Sequence, residues 1–267
     1  MIFKEKYGSW AIVAGAAEGL GASFTRALAA KGLNILLVDI NNESIGLLAE
    51  RIQREFKVSA LCLNLDLGAT DAAERIMDAI GPLDCRLLVY NAAYSRVAPF
   101  LSQPVASMDQ YVDVNCRTMI KLVHRFSDHL IQQKKTGGIL IMSSLAGLIG
   151  SRLVAPYSAT KAFAALLAES LSHEFSPFHI DVLACMAGAT ATPAFLRSGP
   201  KLGILGPGVE DPDFVVSKAL SHLGRRVVYI PGIANRMSYC FLSRILPRAT
   251  ASNLVNKAIG RMYQKKL

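Results

Sequence analysis

The chain has 267 residues, of which 52% are hydrophobic, and a formal net charge of +9. This length suits one large α/β domain. Gly, Pro or polar residues interrupt the long uncharged runs before they could span a bilayer, and the first residues lack the apolar core of a signal peptide. The five cysteines and five histidines have no metal-ligand spacing. These features predict a cytoplasmic protein with buried, reduced thiols and no metal site.

The charge is unevenly distributed along the chain. No acidic residue follows Asp213, whereas ten Lys and Arg residues do. Residues 1–213 therefore hold 19 basic and 20 acidic side chains, a net charge of −1. A nucleic-acid-binding protein more often spreads its basic residues over the fold among stacking aromatic side chains. We therefore expect no nucleic-acid partner and place the basic excess in the C-terminal segment.

The first predicted strand leads into a glycine-rich turn. Residues 9–14 form a short apolar run, a helical pattern extends to residue 31, and Gly15, Gly19, Leu20 and Gly21 lie between them. Glycines let the backbone approach a pyrophosphate, and the N-terminus of the following helix offers free N–H groups and a favourable dipole. The turn therefore predicts a dinucleotide site.

The second predicted strand, residues 33–39, ends at Asp39, which is 18 residues after Gly21. An acidic residue at about this separation can accept a hydrogen bond from the adenosine ribose 2′-hydroxyl and repel a 2′-phosphate. Glu18 in the glycine turn adds a second negative charge, so we expect NAD, with NADP less likely. The alternative is that Asp39 caps the helix beginning near residue 42.

Strands and helices continue to alternate along the chain. The predicted strands cover residues 58–66, 84–90, 138–142, 180–186 and 225–230, and the predicted helices cover residues 43–56, 69–80, 105–133 and 212–223, with one more around residue 157. This alternation predicts a single-domain α/β Rossmann fold, a doubly wound parallel sheet of about seven strands with helices on both faces. We assign residues 1–232 to this domain and residues 233–267 to a basic amphipathic extension packed on or near it.

Tyr157 and Lys161 are four residues apart on a predicted helix, so both side chains can enter one pocket. A nearby cation favours the phenolate and lowers the pKa of a tyrosine, which could then exchange a proton with an alcohol or ketone. Ser144 follows a predicted buried strand, where open α/β sheets place ligands. The alternative is an ordinary helix whose Tyr and Lys side chains are solvated.

From about residue 8 to about residue 232 the chain resembles the classical short-chain dehydrogenase/reductase family. The matching residues occur in the family's order and spacing: Gly15, Gly19, Gly21, Asp66, Leu67, Asn91, Ala92, Asn115, Ser144, Tyr157 and Lys161. The resemblance implies that the segments Asp66-Leu67 and Asn91-Ala92 lie beside the adenosine part of the cofactor. It also implies that Lys161 binds the nicotinamide ribose and that Asn115 holds a water molecule of the proton relay.

Three positions depart from the family pattern. Ala14 replaces a threonine, Ala93 replaces a glycine, and Ala187-Gly188 stands where the family has Pro-Gly. The resemblance makes Gly188, Thr190 and Thr192 candidates for cofactor contacts, with Thr192 assigned to the nicotinamide carboxamide. It also implies a homodimer or homotetramer built on the helices that contain residues 105 and 157.

The resemblance implies reversible hydride transfer between NAD(H) and a secondary alcohol or ketone. The predicted pocket segments, residues 145–154 and 194–215, are mostly apolar, which favours a lipid-like, steroid-like or acyl substrate, unless these side chains pack on the protein itself. Glycines and prolines within residues 199–208 indicate a mobile lid.

Two other functions stay open. A 3-oxoacyl reductase could dock an acidic carrier protein on the basic tail, and a regulatory protein could bind the dinucleotide without turnover.

The role of the tail is also open. The tail, which is most similar to DltE-like proteins and hydroxysteroid dehydrogenases, carries apolar residues at helical spacing between basic ones. It is either an interfacial helix pair attracted to anionic lipid or a segment that packs on the core, the lid or a second subunit.

Overall fold

The computed structural model describes residues 3–201 and 208–266. The elements of its first half are α1 (Phe3–Tyr7), β1 (Trp10–Ala14), α2 (Gly19–Ala29), β2 (Asn34–Asp39), α3 (Asn42–Phe56), β3 (Ala60–Asn64), α4 (Ala72–Ile80) and β4 (Cys85–Tyr90). The apolar runs form the strands, and the amphipathic segments between them form the crossover helices.

The second half continues the alternation. Its elements are α5 (Ala106–Val112), α6 (Thr118–Gln132), β5 (Gly137–Ser144), α7 (Ala155–Phe175), β6 (Ile180–Ala187), α8 (Pro193–Arg197), α9 (Pro212–His222), β7 (Val228–Tyr229), α10 (Ile233–Cys240) and α11 (Arg248–Met262). One turn of π-helix, here called a π-turn, joins α5 to α6 (Asp113–Arg117), and a second π-turn (Phe241–Ile245) follows α10. The long helix predicted over residues 105–133 is therefore interrupted by a π-turn.

All seven strands are parallel, in the order β3-β2-β1-β4-β5-β6-β7. The order reverses between β1 and β4, so the loops after these two strands separate and leave a crevice at their carboxyl ends. The predicted doubly wound parallel sheet is confirmed. The crevice is where the predicted site residues converge.

Two buried clusters cover the two faces of the sheet. One contains Phe24 from α2 and Val215 from α9, and the other contains Ile76 from α4 and Phe126 from α6. The central strands are buried on both faces, which explains their nearly continuous apolar sequences.

The edge strands are shorter than predicted. β3 spans five residues and is mostly exposed, and β7 spans two residues. The prediction that all cysteines are buried is wrong for Cys62 on β3 and for Cys240 on α10, which are exposed. Both lie on elements that have an uncovered face.

The C-terminal segment contacts the loops beside the crevice. Met262 and Tyr263 pack against Leu153 in the loop after β5. The Lys201 N–H donates to the Met262 carbonyl at 2.9 Å, and the hydroxyls of Ser198 and Tyr263 are 2.9 Å apart. No helix within the described ranges 3–201 and 208–266 is both long and apolar enough to cross a membrane. Most of the predicted lid, residues 202–207, lies outside these ranges.

Candidate active site

Helix α7 brings Tyr157 and Lys161 to the carboxyl end of β5. Lys161 is only 5% exposed, and its Nζ donates to the carbonyl of Met142 at 2.7 Å. The same Nζ lies 5.6 Å from the centroid of the half-buried Tyr157 ring. The predicted pair therefore shares one buried site, and the solvated alternative does not hold for Lys161.

The two serines at the end of β5 have different partners. Ser143 donates to the Lys161 carbonyl at 2.7 Å and fastens the strand to α7. Ser144 accepts from the Ala146 N–H at 3.2 Å, and its side chain lies close enough to Tyr157 to lower the pKa of the phenol. The structure thus places Ser144, and not Ser143, beside the phenol.

Burial dominates the electrostatics of this pair. It raises the pKa of Tyr157, and the hydrogen bond with Ser144 opposes that rise. Burial also lowers the pKa of Lys161 to about 8. In the structure the Lys161 ammonium is directed to the Met142 carbonyl, and the lowering of the Tyr157 pKa by Lys161 stays a prediction. In this structure Ser144 is the group that favours the phenolate.

Asn115 lies in the π-turn before α6 and is 3% exposed. Its Oδ1 accepts from the Tyr94 N–H at 2.6 Å, and its Nδ2 donates to the Tyr94 carbonyl at 2.9 Å and to Thr160 Oγ1 at 3.0 Å. The side chain therefore joins the loop after β4 to α7, directly beside Lys161. Its role in holding a water molecule stays a prediction.

The glycine turn has no room for side chains. Gly15 has φ +80°, and a Cβ there would lie 2.6 Å from the Ala92 backbone. A Cβ on Gly21 would lie 1.8 Å from the Gly15 carbonyl, which accepts from Asn91 Nδ2 at 2.8 Å. The turn and the loop after β4 therefore form one tight backbone surface, of the kind that lets a pyrophosphate approach. These residues fit a dinucleotide.

Asp39 braces the glycine turn. One carboxylate oxygen accepts from the Ala17 N–H at 2.9 Å and the other accepts from the Asn41 N–H at 3.0 Å. The cap of α3 is Asn41, whose side chain accepts from Ser44 N–H at 3.0 Å. The alternative that Asp39 caps this helix is therefore wrong, and its carboxylate stays at the carboxyl end of β2.

The loop after β3 carries the next predicted pair. Asp66 accepts from the Gly68 N–H at 2.7 Å, and Leu67 is buried. Arg117 from the first π-turn donates to the Gly68 carbonyl at 2.7 Å. Asp66 therefore lies in a fixed turn at the same edge of the sheet as Asp39.

The loop after β6 reaches the glycine turn through Thr192. Thr192 Oγ1 accepts from the Phe195 N–H at 3.2 Å and so caps α8, and a Cβ on Gly19 would lie 2.9 Å from the Thr192 side chain. Thr190 is buried and donates to the Gly188 carbonyl at 3.1 Å. Thr192 is thus at the crevice, while the Thr190 hydroxyl is used within its own loop.

Sequence reasoning missed two contacts at this site. Arg197 at the end of α8 forms a two-pronged ion pair with Glu18, at 2.9 and 2.5 Å, so the Glu18 charge has a partner. The Asn235 amide packs against Gly188, where a Cβ would lie 2.6 Å from it. No spacing pattern signals either contact, because the partners are far apart in the chain.

A parallel sheet with a glycine turn at its switch point defines a dinucleotide-binding protein. A buried lysine with a tyrosine and a serine at the carboxyl end of the neighbouring strand adds acid–base chemistry on an oxygen atom. The fold and the site together define the class of nucleotide-dependent oxidoreductases that act on alcohols and carbonyl compounds.

Comparison with known proteins gives the family. The family described as short chain dehydrogenase matches residues 9–201. A 7beta-hydroxysteroid dehydrogenase from Clostridium sardiniense is 31% identical over 236 residues, covering 88% of this chain and 90% of that protein. A very-long-chain 3-oxoacyl-CoA reductase from Aspergillus fumigatus is 32% identical over 222 residues, covering 82% of this chain and 63% of that protein.

A solved structure from work on the stereoselectivity of 7beta-hydroxysteroid dehydrogenase superposes with a TM-score of 0.87 at 27% identity. It covers 96% of this chain and 99% of its own. The protein belongs to the short-chain dehydrogenase/reductase family and resembles its hydroxysteroid dehydrogenase members. It is an oxidoreductase that interconverts alcohols and ketones.

Proposed function

We propose that this protein oxidises and reduces an apolar secondary alcohol–ketone pair with NAD(H), using Tyr157 as the general acid and base. The observation that carries the proposal is the group formed by Ser144, Tyr157 and the buried Lys161 at the carboxyl end of β5. Burying the charge of a lysine opposes folding. A regulatory protein without turnover would therefore have no need of a lysine as deeply buried as Lys161, which is 5% exposed.

When bound, NAD(H) supplies or accepts the hydride. In reduction, Tyr157 gives its hydroxyl proton to the carbonyl oxygen, and Ser144 donates a hydrogen bond to the same oxygen. Ser144 therefore stabilises negative charge first on the substrate oxygen and then on the phenolate. In oxidation Tyr157 takes the proton back. Lys161 contributes positive charge beneath the phenol and would hold the nicotinamide ribose.

The preference for NAD rests on the carboxylate of Asp39. It is fixed at the end of β2 by two backbone N–H groups, and Ile40 beside it is exposed and cannot bind a phosphate. The Glu18 charge, by contrast, is compensated by Arg197. The repulsion of a 2′-phosphate therefore falls on Asp39 alone.

The proposal of an apolar substrate now rests mainly on the relatives. Ile149 and Leu153 are buried within the protein, so for them the self-packing alternative holds. Leu196 is 56% exposed on α8 beside the glycine turn and is free to meet a substrate. Two kinds of relative are named for steroid and long-chain acyl substrates, and both substrates are large and apolar.

A 3-oxoacyl thioester is the second candidate substrate. The Aspergillus fumigatus relative is named for that reaction, and the exposed basic C-terminal side chains could receive an acidic carrier. Activity with a 3-oxoacyl thioester that exceeds activity with every steroid ketone would select this candidate.

The first experiment measures NADH formation from NAD with a panel of steroid and long-chain secondary alcohols. Tyr157→Phe keeps the ring and removes the proton donor, so we expect turnover to fall by ~10²-fold or more, with NADH binding by fluorescence nearly unchanged. NADP replaces NAD as the cofactor control. A variant that keeps a tenth of the wild-type rate would refute the assignment of Tyr157.

We also propose that the protein is a homodimer or homotetramer. Five large apolar side chains on or directly before α5, α6 and α7 are at least 37% exposed: Val105, Val112, Ile120, Phe163 and Leu166. Large apolar side chains exposed on neighbouring elements are what an interface between subunits would cover, so their exposure supports the proposal.

A further inference from the structure

One face of α10 and the π-turn after it presents apolar side chains to solvent. Ile233, Met237, Phe241 and Ile245 are 70, 68, 46 and 65% exposed. They recur every four residues, so they lie in one stripe along the helix. On the opposite side Asn235 is 6% exposed and faces the protein. We call these four residues the apolar stripe.

The apolar stripe lies in a positively charged surface. Arg244 is exposed in the same π-turn, and Arg248, three residues after Ile245 at the start of α11, is exposed as well. Among the described residues, none of the basic side chains after Asp213 forms an ion pair with a carboxylate. Their charge is therefore uncompensated by the protein.

We propose that the apolar stripe and the arginines around it dock on an anionic lipid surface. An amphipathic helix that exposes large apolar side chains together with Lys and Arg lies in the plane of a membrane interface, where its apolar side enters the acyl boundary and its cations meet lipid phosphates. Apolar burial and electrostatic attraction then act on the same face.

A second copy of this chain is a poorer occupant of the same face. A twofold contact through the apolar stripe would bring the basic side chains beside one stripe against those beside the other. Like charges brought together at an interface oppose association, and residues 214–267 contain no Asp or Glu to offset them. The charge on this face is complementary to an anionic bilayer and repels another copy of itself.

The docked face is next to the active-site loops. Asn235 on α10 packs against Gly188 and donates to the Pro231 carbonyl at 3.1 Å. Its amide also lies 3.4 Å from the Glu210 carboxylate. A protein docked through α10 therefore holds the loop after β6 close to the lipid surface, so an apolar molecule can pass between bilayer and crevice with little exposure to water.

The test is co-sedimentation of the full chain with vesicles of phosphatidylcholine alone and with vesicles that also contain phosphatidylglycerol, at low and high salt. We expect binding only to the anionic vesicles, and weaker binding at high salt. Met237→Ser combined with Ile245→Ser should abolish it. Arg244→Gln should weaken it about fivefold, the effect of one cation near an anionic surface.

Leu47→Ser is the matched control, because Leu47 is 63% exposed on α3 and lies outside the stripe. It should bind anionic vesicles like the wild type. Circular dichroism and NADH binding of every variant confirm that the fold is intact.

Three results would each overturn the proposal. The first is no binding to anionic vesicles at low salt. The second is binding that survives loss of Met237 and Ile245. The third is that the wild type does not bind vesicles but forms a concentration-dependent dimer, and that these substitutions dissociate the dimer. That result would assign the stripe to contact with a second copy.

Discussion

Lys161 is held in a position that disfavours its charge. Its ammonium is buried, and this burial lowers the pKa to about 8, although the Met142 carbonyl accepts a hydrogen bond from it. The protonation of this lysine therefore depends on its surroundings. The ribose hydroxyls of a bound cofactor, or a negative charge on Tyr157, would stabilise the ammonium, so cofactor binding favours the charged form of Lys161.

This burial predicts a pH-dependent difference in stability between the wild type and Lys161→Met. The folded-state pKa of about 8 lies below the ordinary value of 10.5, so between these pH values the unfolded chain binds a proton that the folded chain does not. Stability of the wild type relative to the variant should therefore rise from pH 8 to pH 10.5, by on the order of 2 kcal/mol. Urea unfolding at both ends of this range measures it.

Lys4→Met is the control for this measurement, because Lys4 is exposed and its removal should leave the pH dependence unchanged. A difference between wild type and Lys161→Met that stays flat across the range would mean that the lysine is not held in a depressed state.

Asp39→Ser should reduce kcat/KM with NAD by about tenfold or more, because a hydrogen bond to a charged acceptor is lost. The ratio of kcat/KM with NAD to kcat/KM with NADP should fall as well, since the carboxylate no longer repels a 2′-phosphate. Steady-state kinetics with both cofactors measure the two effects. Glu43→Gln, which removes a nearby exposed charge on α3, is the control and should leave this ratio unchanged. An unchanged ratio in Asp39→Ser would show that Asp39 does not select between the two cofactors.

The residues that sequence could predict are those fixed by local spacing. Tyr157 and Lys161 share one helix, and Asp39 ends a strand next to the glycine turn, so their placement follows from helix period and strand order. Glu18 and Arg197 are 179 residues apart, and their contact depends on where α8 settles. The pKa of Tyr157 also depends on burial, which spacing does not reveal.

At the scale of elements, α8 is a five-residue helix that is too short to be stable alone. Two contacts fasten it to the glycine turn: the Thr192 cap lies against Gly19, and Arg197 pairs with Glu18. The helix is therefore held against the glycine turn.

Arg197→Gln should raise the KM for NAD several-fold while leaving the free energy of unfolding nearly unchanged. An exposed ion pair contributes little to stability, but its loss leaves Glu18 uncompensated beside an anionic cofactor. Initial-rate kinetics and urea unfolding measure the two quantities. Arg51→Gln, which breaks the exposed Arg51–Glu55 pair on α3, is the control and should leave KM unchanged. Equal KM values for both variants would contradict a link between α8 and cofactor binding.

The alternation of apolar runs and amphipathic segments predicted the order of the elements but not the residues at which they begin and end. An apolar run predicts a strand over its whole length, whereas the strand extends only as far as the neighbouring strand pairs with it. The run at residues 225–230 pairs with β6 only at Val228 and Tyr229. Likewise, the π-turn that carries Asn115 has the composition of an ordinary helix, so the sequence could place the residue but not the irregularity.

At the scale of the whole molecule, the exposed apolar residues of α5 to α7 predict self-association. Leu166→Glu places a charge at the most exposed of these positions on α7, where Leu166 is 65% exposed, and should convert an oligomer to monomers because burying an unpaired carboxylate is unfavourable. Light scattering after size-exclusion chromatography measures the mass. Leu47→Glu on α3 should leave the mass unchanged, and an unchanged mass for Leu166→Glu would move the interface elsewhere.

The contact of Met262 and Tyr263 with Leu153 bears on how the molecule is completed during synthesis. The N-terminal part of a chain emerges first and can begin to fold before the rest, so the seven strands, the last of which ends at Tyr229, can pair while α11 is still unmade. Leu153 stays uncovered until Met262 and Tyr263 have been added. A nascent chain can therefore assemble the sheet and its glycine turn before the C-terminal segment covers the loop after β5, so a product truncated before α11 should still bind the cofactor while exposing Leu153.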